Sequence, residues 1–137
     1  MPKRRRGSRH ALRLPRASHD PFARLVERAL AAIPSPFRES LEEVAVVVED
    51  EPTPAQLQDN GLRPGDTLYG LYQGVPRTEW GADWAPSPNK ISLFRLPLEE
   101  DFPDPAELEE EVRITVIHEL AHHLGIDDDR LDELGVD

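Results

Sequence analysis

The residues best suited to chemistry stand together near the end of the chain, as His118-Glu119-Leu120-Ala121-His122. At about 100° per residue, helical positions four apart differ by only ~40° in direction. On a helix both imidazoles therefore project from one face, a turn apart. Two ring nitrogens so placed can grip one Zn²⁺ at ~2.0–2.1 Å. Glu119 lies roughly 100° round from His118, beside the ligands, where a carboxylate reaches a water on the metal instead of the metal itself. Two neutral nitrogen ligands with a base between them are the parts of metal-assisted hydrolysis.

A zinc site of this kind needs one more protein ligand and an open position for water. The chain has no Cys, so that ligand is a His, Asp or Glu. Gly125 ends the helical pattern and lets the chain reverse, which brings Asp128 within reach of the metal; Asp127 and Asp129 are its rivals. His123, about 140° from His118, is expected to pack or to support the ligands rather than to bind metal. His10 and His19 lie far away in the chain and are given no role at the site.

The helix that must carry these groups is well marked. Pro105 opens it, Gly125 closes it, and Val116, Leu120, Leu124, Ile117, Ala121 and Ile114 form an apolar face at roughly 160–320° from His118. A narrow polar stripe with His118, His122, Thr115 and Glu119 is left over. Upstream, Asp20-Pro21 starts a helix whose apolar residues (Phe22, Leu25, Val26, Ala29, Leu30, Ile33) keep helical spacing until Pro34 and Pro36 stop it. A short helical turn is predicted at about 36–43, with Phe37 and Leu41 buried. One turn is expected at 53–58, and a closing acidic turn with a short helix at 130–134.

Three strands are predicted, at 44–49, 68–74 and 90–96, from short β-branched and aromatic runs. With no internal repeat they imply an α+β fold, a small, roughly three-stranded sheet packed on helices. Strand 90–96, nearest in sequence to the metal helix, is either the edge on which an extended peptide lies or an interior strand. Tyr69 and Tyr72 are candidates to stabilise an oxyanion, with packing as the competing role. Trp80 and Trp84, in the Pro-rich loop 75–89, either cap the core or line a binding rim.

At this point a resemblance can be stated. HELAHHLGIDDDRLDELG, together with VAVVVEDEP, LYGLYQGVPRTEW and KISLFR, resembles the minimal zincin-like metallopeptidase family of bacteria, whose hallmark is HExxHxxGxxD. The resemblance spans about residues 20–135, and His118, Glu119, His122, Gly125 and Asp128 each occupy a hallmark position. It implies zinc held by His118, His122 and Asp128, Glu119 as general base, and a compact zincin core without the second lobe of larger zinc proteases. The metzincins are more distant: they place His where this chain has Asp128. Their Met-turn has no counterpart, because Met1 is the only Met.

Charge and length bound the rest. The net charge of −11 hides a split: residues 1–19 hold seven Lys and Arg and no acid, which leaves 16 − 7 = 9 bases and 27 acids, or −18, on residues 20–137. The first segment reads as a disordered basic arm and the second as one zincin-like domain. So acidic a body is a poor nucleic-acid binder, and only the arm offers weak, salt-dependent attachment. No apolar run approaches the ~18–20 residues of a membrane span, and the basic start lacks the apolar stretch of a secretory signal. A cytoplasmic protein is expected, acting on peptides or proteins.

Two functions compete. One is a zinc peptidase. The other is a zinc-stabilised interaction or regulatory module with little hydrolysis, because 118 residues leave little chain for a second cleft wall. A partner protein could complete that cleft. A purely structural zinc helix would have no use for Glu119, which favours the peptidase.

Overall fold

The structure is a computed structural model that describes residues 20–74, 89–126 and 128–134, without the side chains of Asp128, Asp132 and Leu134. The expected basic arm (1–19), the loop with Trp80 and Trp84, and Asp127 lie outside the described residues. The fold is α+β, with a three-stranded sheet and its helices.

Helix α1 (Pro21–Ala31) begins where Asp20 caps it, its side chain accepting from the Phe22 N–H at 3.0 Å. Its apolar stripe buries Phe22, Leu25, Val26 and Ala29, and Ile33 beyond its end has no exposed surface. Helix α2 (Phe37–Ser40) and a 3-10 turn (Leu41–Glu43) follow, with Phe37 fully buried. Strand β1 (Val44–Glu49) leads to α3 (Pro54–Asp59), which Thr53 and Gln56 open with a reciprocal capping box. Strands β2 (Gly70–Gln73) and β3 (Asn89–Phe94) complete the sheet.

The strand order is β1-β3-β2, with β3 parallel to β1 and antiparallel to β2. The sequence allowed strand 90–96 to be an edge; β3 is instead the interior strand. The core explains why, since Ile91, Leu93 and Phe94 are all fully buried and Ser92 with them. The expected strand also ends two residues early. Arg95 begins helix α4 (Arg95–Asp101), in which Pro97 occupies the first turn, where a missing N–H costs nothing. Arg95 anchors that turn by pairing with Asp50 and Glu99, each at 3.0 Å.

The longest helix, α5 (Pro105–Leu124), is capped by Asp104, whose side chain accepts from the Glu107 N–H. It ends at Gly125 in the left-handed conformation, φ 74°, which glycine adopts without penalty. Helix α6 (Asp128–Leu134) starts two residues ahead of the expected 130–134 and buries Leu131 in the core. One apolar cluster joins α1, α5, Leu98 of α4, Leu131 of α6 and the inward residues Val44, Val46, Ile91 and Leu93 of the sheet. Among the described residues, no helix is long and apolar enough to cross a membrane.

Candidate functional site

The last three turns of α5 bury Val116, Ile117, Leu120 and Ala121 on the sheet and α1, and leave His118 and His122 outside that core. His118 is half-buried, and its ring makes no hydrogen bond among the described residues. The His122 side chain is 58 % exposed, and its Nδ1 lies 3.3 Å from Glu119 Oε1. Glu119 between them is 15 % exposed.

Thr115, placed by spacing on the polar stripe, is buried. It packs on β2 at Gly70, where an added Cβ would stand 2.6 Å from Thr115 Cγ2. Only a residue without a side chain lets helix and strand approach so closely. One turn further along α5, Glu119 Oε1 accepts the main-chain N–H of Tyr72 at 2.8 Å. The ladder makes that N–H an outward one. Tyr69 O accepts from Phe94 N, so the main-chain groups of residues 69, 71 and 73 face β3 and the Tyr72 N–H faces away from it. Glu119 thus closes an edge amide that would otherwise bond water.

The tyrosines make contacts within the fold, the competing role named for them. The Tyr69 hydroxyl donates to Asp101 on α4, and its ring meets Phe102 edge-on at 5.5 Å. The Tyr72 hydroxyl lies 3.0 Å from His123 Nδ1 and 3.2 Å from Asn89 Oδ1. Both hydroxyls are thus hydrogen-bonded to other side chains of the fold. His123 itself is fully buried and bonded, as a supporting residue should be.

Of the three candidate Asp residues after Gly125, the structure describes the backbone of two, Asp128 and Asp129, and both lie on a helix. Asp128 is the first residue of α6, and Asp129, next on the same helix, is exposed. Among the described residues, no three His, Asp or Glu side chains form a metal-holding group; the Asp128 side chain is not one of those described. What the structure brings together is His118, Glu119 and His122 on adjoining faces of α5, with Glu119 tied to β2. Sequence reasoning missed Tyr72's backbone and Gly70. The Gly70–Leu71–Tyr72 run carried no signal beyond a glycine inside a strand pattern, which does mark close backbone approach.

A family model described as zincin-like metallopeptidase matches residues 41–136, more than half of the chain. That span takes in all three strands and the whole of α5 and α6. A search of curated proteins gave no match.

Proposed function

The chain belongs to the zincin-like metallopeptidase family, and we propose that it hydrolyses peptide bonds at a zinc ion held by His118, His122 and Asp128, with Glu119 as general base. The observation that carries this reading is the state of α5. Its imidazoles at 118 and 122, four residues apart, stay out of the core, and the half-buried His118 ring has no partner among the described residues. That donor set fits zinc, which takes neutral imidazole nitrogens. Asp128 is assigned from its position, three residues after the left-handed Gly125 and at the start of α6.

When bound, zinc supplies Lewis acidity, both to the scissile carbonyl and to the attacking water. The remaining steps fall to the chain. Glu119 takes a proton from the water and later delivers it to the leaving amine. Its carboxylate is held for this by the Tyr72 N–H and by His122. Of the two outer strands, β2 is the one packed against α5, so an extended peptide substrate would lie along β2 rather than β3.

One observation favours a second reading, the zinc-stabilised interaction module. Glu119 has a structural use after all, since it bonds the edge of β2. Its presence alone no longer separates the two functions. Glu119→Gln does separate them, because a Gln carbonyl oxygen still accepts from the Tyr72 N–H but is no base. For the peptidase, Glu119→Gln keeps its zinc and its melting temperature while turnover of a mixed peptide pool falls by about 10²–10⁴-fold. Equal turnover by the two proteins would remove Glu119 as base. Less than about half an equivalent of zinc in folded wild type would remove the metal centre.

A further inference from the structure

His123 stands beside His122 yet has no exposed surface and no part in the proposed ligand set. An ionised carboxylate only accepts, so His123 Nε2–H donates to Glu43 Oε1, at 2.7 Å. Its Nδ1 meets the Tyr72 hydroxyl at 3.0 Å, and that hydroxyl also reaches Asn89 Oδ1 at 3.2 Å. The partners come from one end of the sheet. Glu43 immediately precedes β1, Asn89 opens β3 in register with Val44, and Tyr72 stands near the end of antiparallel β2.

Tyr72 therefore grips α5 twice. Its backbone N–H holds Glu119 and its side chain holds His123, four residues on and one turn further along the helix. The two bonds constrain different freedoms. The backbone bond by itself lets a short edge strand slide or tilt. The bond to His123, whose other ring nitrogen is anchored on Glu43, fixes where Tyr72 sits, because hydrogen bonds in a low-dielectric interior are directional and costly to break. An apolar residue at 123 would fill the space without holding the strand.

We infer that His123, acting through Tyr72, is a positioning residue for Glu119, one that sets where the base's carboxylate rests against β2. Its role in hydrolysis rests on the reading of Glu119 as base; the clamp itself has a readout that does not. That readout is exchange of the Tyr72 amide proton, followed by NMR in the metal-free full chain of wild type, Tyr72→Phe and His123→Phe. An edge amide facing away from its partner strand exchanges fast unless something covers it. The expected result is Tyr72 exchange at least about tenfold faster in both variants, with Ile91 and Leu93 inside the sheet changed less than about twofold. In the zinc-loaded proteins kcat should fall about tenfold at a KM within about twofold of wild type.

Unchanged Tyr72 exchange overturns the inference. So does acceleration shared equally by Ile91 and Leu93, which would be general loosening, and so does an unchanged kcat beside a faster amide. Should His123→Phe fail to fold, Tyr72→Phe decides alone, since it removes one oxygen and keeps the ring. A wild type with no turnover would defeat the peptidase reading, and the amide result would still decide whether the clamp exists.

Discussion

Asp127, Asp128 and Asp129 offer three carboxylates for one ligand position, and their chemistry is identical, so only placement can choose among them. Asp129 is exposed on α6, while Asp128 begins that helix three residues after the Gly125 reversal. Asp128→Ala is therefore expected to weaken zinc binding by at least about a hundredfold, and Asp129→Ala by no more than about threefold. Competition with a chromogenic chelator measures both, and the opposite order would assign the ligand to another carboxylate. Tyr69 gives a second prediction at this scale. Its hydrogen bond to Asp101, with partial burial and that carboxylate's charge, pushes the phenol up to about 12. The neutral form is thus favoured in the folded protein. The contact's contribution is complete below pH ~10, the unfolded value, and is lost as pH rises through about 12. The melting-temperature gap between wild type and Tyr69→Phe should accordingly narrow between pH 10 and 12; a gap that widens there would contradict the assignment.

Between elements, the decisive contact is α5 against β2. A Cβ at Gly70 would lie 2.6 Å from Thr115 Cγ2 and 3.3 Å from Ser92 O, so Gly70→Ala must push strand and helix apart. The expected cost is about 1–3 kcal/mol in denaturant unfolding. Thr115→Ser, which removes the opposing methyl, should recover part of it in a double-mutant cycle; additive effects would show that the clash lies elsewhere. This contact also marks how far the sequence could be read. Helix α5 was legible because its caps (Asp104, Pro105, Gly125) and its apolar spacing are local. The strands were legible from β-branched runs, and the α+β class followed from them. Two things were not. Helix α4 hid behind the strand-like KISLFRL, since the chain turns helical at Arg95 through pairing with Asp50, 45 residues away. The bond from Tyr72 to Glu119 spans 47 residues and depends on β2 being the outer strand, which no local pattern encodes. The metal stripe was read from spacing, whereas the polar clamp behind it needed the assembled sheet. His123 did announce itself, as a polar residue about 140° round the helix from His118 and so off the ligand stripe.

For the whole molecule the question is what the charge split does. Among the described residues, the apolar cluster draws its members from Phe22 to Leu131. Removing residues 1–19 takes the formal charge from −11 to −11 − 7 = −18. If the segment is a separate basic arm, the truncated protein should melt within about 2 °C of the full chain at moderate salt. It should also bind zinc equally well or slightly better, because the remaining carboxylates then act on the cation without seven opposing charges. The full chain, by contrast, should be retained on a polyanion such as heparin at low salt and released as salt rises, and the truncated chain should not be retained at all. A melting temperature lowered by more than about 5 °C would mean that the segment packs on the acidic body instead of standing apart from it. Retention of the truncated chain would mean that residues 20–137 carry a basic surface of their own, against the excess of acids that their composition gives them.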